Sequence, residues 1–449
     1  MNTEKEDIDE IDDILEYNPD ATPPSKWERI LTGAFRHEDF GDALIEEYHI
    51  ITVNGQIYIY DNGVYKQDLD AILGKMIAEF RSIKRNQREE VLSYIRIKSA
   101  VSSDKIQIEP FIVTLKNTRL DLRTGKMIPF SPEAIDFARV PVTYDPTAYN
   151  ADLDKMLRRV FQNNQEVLDL FGEMLGYCLM KNCKFGRIFI FYGSGSNGKS
   201  TILDLVKRFV GKSNFSTIEL DKLTGTFMTA ELENKLANIG DDINAGSLKD
   251  TGTLKKLITG DSLQVQRKGE RPFTLEPYAT HIYCCNEIPH FQDKSEGLYR
   301  RLALVPFRAT FSRSDPDFDP LIEEKIFTDN ALSYLLNLAL EGAQRLIRRG
   351  GFTEPGIVKE AIENYKIDNS SALSWIQSED LSEDYLLERS KKDLYAEYKN
   401  WCTQAGIRYP LTLGGFSKDI CARYHFDSKQ RNRGSDGVVS RSMFFVRGK

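Results

Sequence analysis

Gly193-Ser194-Gly195-Ser196-Asn197-Gly198-Lys199-Ser200 stands between the apolar run Ile188-Phe189-Ile190-Phe191-Tyr192 and an amphipathic run over residues 201–210. A strand, a glycine-rich turn and a helix opening at Lys-Ser make a P-loop. Glycines let the chain turn tightly enough for backbone N–H groups to close around phosphate oxygens, and the following helix presents its positive end. On this reading Gly193, Ser194, Gly195, Ser196, Asn197, Gly198, Lys199, Ser200 and Thr201 cradle the phosphates of ATP. Lys199 neutralises the β/γ-phosphates and Ser200 ligates Mg²⁺. The same glycines satisfy G-x-G-x-x-G, and Glu219 follows about twenty residues on, where a dinucleotide fold places its ribose acid. That alternative has no need of Lys199-Ser200, whereas the phosphate loop requires both.

Downstream, Leu236-Ala237-Asn238-Ile239-Gly240-Asp241-Asp242 reads as an apolar strand ending in two acids, a Walker B arrangement. Asp241 is assigned to the Mg²⁺ shell, and Asp242 to orienting or deprotonating the attacking water. Thr280-His281-Ile282-Tyr283-Cys284-Cys285 is a further strand, and Asn286 at its end suits a side chain that senses the γ-phosphate. Gly297-Leu298-Tyr299-Arg300-Arg301-Leu302 then supplies two arginines, either of which has the chemistry of a finger reaching a neighbouring subunit's transition state. Between Asp242 and Asn286, Leu263-Gln264-Val265-Gln266 and Pro272-Phe273-Thr274-Leu275 form a hairpin. Its tip carries Arg267, Lys268 and Arg271, cations that can grip a nucleic-acid backbone.

At 449 residues, 41% hydrophobic and net charge −7, the chain has room for several cores. No apolar run approaches the roughly eighteen residues of a membrane span, and the start Met1-Asn2-Thr3-Glu4-Lys5-Glu6 is acidic where a signal peptide is basic, so a cytoplasmic protein is expected. The six cysteines and five histidines show no disulfide or zinc spacing. Charge is segregated. In the first twenty residues Glu4, Glu6, Asp7, Asp9, Glu10, Asp12, Asp13, Glu16 and Asp20 oppose Lys5 alone, a composition that solvates rather than packs. From residue 391 onward bases outnumber acids, as on a phosphate-facing surface.

Residues 1–22 are therefore expected as a disordered acidic tail. Residues 23–145 read as a small α+β domain: Ile50-Ile51-Thr52-Val53, Gln56-Ile57-Tyr58-Ile59-Tyr60 and Val64-Tyr65-Lys66 are strands joined by Asn54-Gly55 and Asn62-Gly63. Helical spacing follows from residue 69 to about 100, and a second β segment carries Thr124-Gly125 as its turn. A helical collar over 146–185 leads into an α/β ATPase core over 186–312, followed by a helical segment over 313–385. In residues 386–449, a capping-box-like start at Ser390-Lys391-Lys392-Asp393, a second helix from Gly415 to Tyr424, and two strand-like runs joined through Arg433-Gly434-Ser435-Asp436-Gly437 outline a winged-helix DNA-binding domain.

This ordered set of motifs resembles the superfamily 3 helicases, most closely the phage/plasmid primase-helicase family and its poxvirus relatives. Carrying the resemblance are Tyr192 to Ser200, Asn238-Ile239-Gly240-Asp241-Asp242, Lys256-Leu257-Ile258-Thr259-Gly260-Asp261, Cys285-Asn286-Glu287-Ile288-Pro289, and Tyr299-Arg300-Arg301-Leu302 with Val305-Pro306-Phe307. Asn117-Thr118-Arg119-Leu120-Asp121-Leu122 with Thr124-Gly125 looks like the family's N-terminal region, so the likeness covers most of residues 45 to 375. It implies an AAA+ core in a hexameric ring, ATP bound between subunits, and Arg300 or Arg301 acting in trans. It also implies Lys268 tracking single-stranded DNA, and 3′ to 5′ translocation. Family members often carry a primase ahead of this region. About 120 residues stand there without a clear D-x-D plus His constellation, so priming is expected from a separate primase or replication partner. The expected activity is ATP-driven unwinding of forked DNA for a phage, plasmid or genomic island. The rival is a nucleotide-switched, origin-binding assembly ATPase that does not unwind processively.

Overall fold

The computed structural model describes residues 26–31, 34–102, 105–241, 251–315, 318–430 and 442–446. The expected acidic tail and Asp242 lie outside the described residues. The chain forms two compact units, one of residues 1–61 and 65–106 and the other of 62–64 and 107–449.

The first unit holds α1 (Lys26–Leu31), α2 (His37–Tyr48), β1 (Ile50–Val53), β2 (Gln56–Asp61), β3 (Val64–Lys66), α3 (Leu69–Glu79) and α4 (Arg85–Lys98). Asn54 and Gly55 turn β1 into β2 with φ of 49° and 78°, the paired positive values that a tight hairpin requires and that Asn-Gly supplies. Ile57 and Ile59 of β2 are buried with Phe40 and Leu44 of α2, Met76 of α3 and Val91 and Ile95 of α4. The single helical stretch expected from residue 69 breaks into two at 80–84.

The second unit opens with a small sheet of β4 (Ile112–Thr114), β5 (Arg119–Asp121) and β6 (Met127–Ile128). This is the β segment expected to close the N-terminal domain. It packs instead with elements further along the chain: Val113, Leu120 and Val140 share one core with α5 (Ala151–Val160), α6 (Gln165–Leu179) and the central sheet.

That sheet is built from β7 (Ile188–Tyr192), α7 (Lys199–Val210), β8 (Phe215–Ser216), α8 (Thr226–Thr229), β9 (Ala237–Gly240), α9 (Gly252–Thr259), the hairpin β10 (Leu263–Val265) and β11 (Phe273–Leu275), β12 (Thr280–Cys285), α10 (Glu296–Tyr299) and β13 (Leu302–Pro306). Five strands, in the order β13-β7-β12-β9-β8, are all parallel. A parallel sheet is covered on both faces, which is why its strands read as continuous apolar runs. Phe189, Phe191, Ile282, Cys284 and Val305 point to the α6–α7 side. Ile188, Ile190, Tyr283, Cys285 and Leu304 point to the side holding α9 and the hairpin.

Beyond β13 come α11 (Ile322–Ile326), α12 (Asp329–Arg349), α13 (Gly356–Asp368), α14 (Ser371–Ser378), α15 (Glu383–Glu388), α16 (Lys391–Gln404), α17 (Leu413–Tyr424), β14 (Phe426–Gln430) and β15 (Ser442–Val446). Helix α12 returns across α6 at backbone contact. A Cβ on Gly342 would lie 2.2 Å from the Gly172 carbonyl, and one on Gly176 would lie 2.5 Å from the Ala339 oxygen. Helices α5 and α6, in the segment expected as a collar, share one hydrophobic core with the central sheet and α12.

The C-terminal elements pack around Tyr398 and Phe416, and this cluster begins upstream of residue 386, at Ala372 and Trp375 of α14. Ser390 caps α16 by accepting from the Asp393 amide at 3.2 Å. β14 and β15 pair antiparallel. Their connection, including Arg433 to Gly437, lies outside the described residues.

Candidate functional site

Because the five strands run the same way, their carboxyl ends share one edge, and ligands of open α/β sheets bind there. The turn after β7 is the glycine-rich loop. Gly198, with φ of 85°, is the N-cap of α7. At Gly193 a Cβ would stand 2.6 Å from the Phe307 carbonyl, so only glycine lets the loop lie against the end of β13. Asn197 is buried and donates Nδ2 to Phe307 O at 3.2 Å, holding the loop to that strand.

Lys199 turns back over the loop. Its Nζ donates to the carbonyls of Gly193 at 2.6 Å and Ser194 at 3.3 Å, and to Asn197 Oδ1 at 3.0 Å. Among the described residues no acceptor bonds the amides from Gly195 to Lys199, and α7 has no side-chain cap. A ring of unbonded N–H groups around one ammonium, at a helix N-terminus, is a site for an anion carrying several oxygens. Ser200 is exposed beside it and Thr201 is half-buried.

β12 lies between β7 and β9, and Cys285 pairs with Tyr192. One residue past that pair on the two strands come Asn286 and Gly193, so Asn286 stands at the loop, exposed. Asp241 follows β9 on the same edge and pairs with Lys207 of α7 at 3.7 Å. Between them the buried Cys284 thiol is pushed up to about 12, first by burial and then by the Asp241 charge, with Lys199 acting in the opposite sense. Ser200 and Asp241 offer a hydroxyl and a carboxylate, the oxygen donors a hard divalent cation takes.

Asn238 and Gly240 look like interruptions of an apolar strand, and they prove structural. Asn238, fully buried, accepts from the Ile218 amide at 2.8 Å and the Ser216 hydroxyl at 2.7 Å, and donates to Ile218 O at 3.0 Å.

The two arginines stand elsewhere. Both precede β13, whose five residues run about 16 Å toward the loop edge at about 3.3 Å each. They therefore sit at the amino edge of the sheet, where Arg301 O accepts from Ile188 N at 2.9 Å. Arg301 is half-buried and bonds Gly297 O, and its pKa is lowered by burial and by Arg300. Arg300 is exposed, and its side chain makes no hydrogen bond or ion pair among the described residues.

The hairpin separates its three cations in the same way. Arg267 bonds Glu233, reaches Glu270 at 3.4 Å and lies 4.6 Å from the Phe273 ring centre, so it braces the hairpin. Lys268 and Arg271 are exposed at the tip, with Gly269 between them at φ of 81°.

The model of a family described as D5 N terminal like matches residues 44–162. A protein of Acanthamoeba polyphaga mimivirus named as a candidate helicase, L207/L206, is 21% identical over 323 residues, covering 65% of this chain and 33% of its own length. A protein of Invertebrate iridescent virus 6 named as candidate helicase 184R is 23% identical over 353 residues, covering 67% and 35%. These likenesses support a phage and viral primase-helicase family. A second model, DUF5906, a family of unknown function, matches residues 191–301, from the glycine-rich loop to the paired arginines. The fold of the chain resembles the C-terminal region of NrS-1, with a TM-score of 0.52 at 15% identity, covering 90% of this chain and 97% of the other. The chain spans about a third of the length of the two viral relatives. Among the described residues no helix is long and apolar enough to cross a membrane.

Proposed function

We propose that this chain is the motor of a replicative DNA helicase, of the superfamily 3, AAA+ kind, that hydrolyses ATP between adjacent copies of itself in a ring. The observation that carries the reading is the separation of Arg300 from the loop. Lys199, Asn286 and Asp241 gather at the carboxyl edge, while the unengaged arginine stands at the amino edge of the same sheet. A second copy, set edge to edge, supplies what one copy lacks, and a closed ring repeats that heterologous contact.

Lys199 would exchange its loop carbonyls for β- and γ-phosphate oxygens, and the loop amides would bind the same oxygens. Ser200 and Asp241 would hold Mg²⁺, which supplies neutralisation of the phosphate charge. Asn286 would orient the attacking water, with Asp242 as its base, and Arg300 of the next copy would meet the charge that develops in the transition state. Lys268 and Arg271 at the hairpin tip would hold single-stranded DNA. The C-terminal elements, three helices and a hairpin, would act as a winged helix that contacts duplex DNA. The viral relatives' names support a helicase.

Strand separation on forked DNA, with ATP and Mg²⁺, tests the reading. Wild type should unwind; Lys199→Ala and Arg300→Ala should not, while each keeps its fold. DNA-stimulated hydrolysis without unwinding would point instead to a nucleotide-switched initiator.

A further inference from the structure

The last turn of α13 faces the stretch of chain that joins Asn286 to Arg300. Val358, Ala361 and Tyr365 recur at helical spacing and are buried, so they share one face of α13, and Asn369, its C-cap, follows one turn after Tyr365. The Tyr365 hydroxyl accepts from the Phe291 amide at 3.0 Å and donates to the Pro289 carbonyl at 2.7 Å. Asn369 Nδ2 donates to the Phe291 carbonyl at 2.9 Å, so side chains from the end of α13 take both main-chain groups of Phe291.

The Tyr365 ring reaches further than its hydroxyl. It stands edge-on to the rings of Phe291 and Tyr299, with centres 6.3 Å apart in each pair. Tyr299 is buried, closes α10 and immediately precedes Arg300. Lys366 adds a second grip on the same helix, with Nζ 3.3 Å from Glu296 and 5.3 Å from the Tyr299 ring centre. One tyrosine therefore holds the segment after Asn286 by its hydroxyl and the helix before Arg300 by its ring.

We propose that Tyr365 is a positioning residue for ATP hydrolysis, acting through α10 on Arg300 and so at the site of the neighbouring copy. The assignment rests on the reading in which two copies share one ATP site. Arg300 is exposed, and its side chain makes no hydrogen bond or ion pair among the described residues, so its main chain decides where the guanidinium stands. That main chain follows Tyr299, and Tyr299 packs on Tyr365. A displacement of about 1 Å in such a group costs up to about a hundredfold in rate. The segment has a separate anchor at Asp293, which accepts from Thr251 at 3.0 Å and pairs with Lys255 of α9, so removing the Tyr365 hydroxyl loosens it without releasing it.

The test measures ATP hydrolysis by full-length Tyr365→Phe, alone and in mixed assemblies. Phenylalanine keeps the ring and removes both hydroxyl bonds, so kcat should fall about tenfold with KM for ATP as in wild type. Mixed with Lys199→Ala, whose loop is inactive and whose Arg300 is intact, each Tyr365→Phe copy should recover hydrolysis. Mixed with Arg300→Ala, it should recover none. Recovery with Arg300→Ala instead would place the defect at the loop of the same copy and overturn the inference. Recovery with both partners or with neither, or an unchanged kcat, would leave Tyr365 a purely structural residue and overturn it equally. Should Tyr365→Phe melt well below wild type, Asn369→Ala decides in the same mixtures. If Lys199→Ala and Arg300→Ala fail to restore each other, the shared-site reading itself fails, a result that variants of α13 cannot produce.

Discussion

The carboxamide of Asn238 donates Nδ2 to the phenol oxygen of Tyr283 at 2.8 Å, within the central sheet. The Tyr283 ring occupies the space above Gly240, where a Cβ would come within 2.5 Å of its Cδ1. Gly240 and Tyr283 pair across β9 and β12, so the two contacts fix the strand end from which Asp241 projects. Asn238→Leu strands the Ile218 amide in the core, leaves the Tyr283 hydroxyl only its 3.4 Å bond to the Ile218 carbonyl, and should cost about 2–4 kcal/mol by chemical denaturation. Gly240→Ala should cost about 1–3 kcal/mol, most of it recovered in a double variant with Tyr283→Leu. A cost that Tyr283→Leu leaves untouched contradicts the contact.

The arginines separate by role. Arg300→Ala should keep ATP affinity and lower kcat by about 10³-fold, the scale of an arginine finger. Mixing Arg300→Ala with Lys199→Ala should restore part of the hydrolysis, because mixed interfaces pair an intact loop with an intact finger. Arg301→Ala should lower thermal stability instead, having lost the Gly297 carbonyl. No recovery on mixing at any ratio would place the finger on another residue.

At the hairpin, Lys268→Ala and Arg271→Ala should abolish unwinding with basal hydrolysis retained. Each should reduce the slope of log affinity against log salt by about 1. Arg267→Ala should loosen the hairpin, seen as faster amide exchange in β10 and β11, since its partner Glu233 is protein. Unchanged exchange there would return Arg267 to the DNA contacts.

Stability should depend on His281. Its ring is fully buried with neither nitrogen bonded, and burial pushes its pKa down from 6.5 to about 4. The unfolded chain takes up the proton near pH 6.5, and the folded chain resists until about 4. The contribution is whole above pH 6.5 and is lost as pH falls from 6.5 toward 4, reaching about 3 kcal/mol. His281→Leu should flatten that part of the pH–stability curve; an unaltered slope assigns it to other groups.

Asp419 of α17 meets Lys294 at 2.8 Å and Ser370 at 2.5 Å, while Arg423 meets Glu363 at 2.6 Å. One face of α17 is therefore held against α13, the start of α14 and the segment before α10. Asp419→Ala should cost about 1–3 kcal/mol locally, with faster limited proteolysis around α17. It should also bring tighter duplex binding if this face is used. Slower proteolysis or weaker binding would count against a latch.

Local chemistry was legible in the residues alone. Asn-Gly turns, the strand before the glycine-rich loop, the hairpin and the Ser390 cap each depend on neighbours in sequence, where backbone dihedral preference and side-chain spacing suffice. Tertiary structure alone decided which residues share a point in space. It set β12 between β7 and β9 and so brought Asn286 beside Gly193, and it carried both arginines to the opposite edge. It also distinguished Arg267 from Lys268 and Arg301 from Arg300, pairs identical in charge that differ in what packs against them. Asn238 and Gly240 read as faults in a strand because their partner, Tyr283, lies more than forty residues away, and long-range packing leaves no periodic trace in the chain.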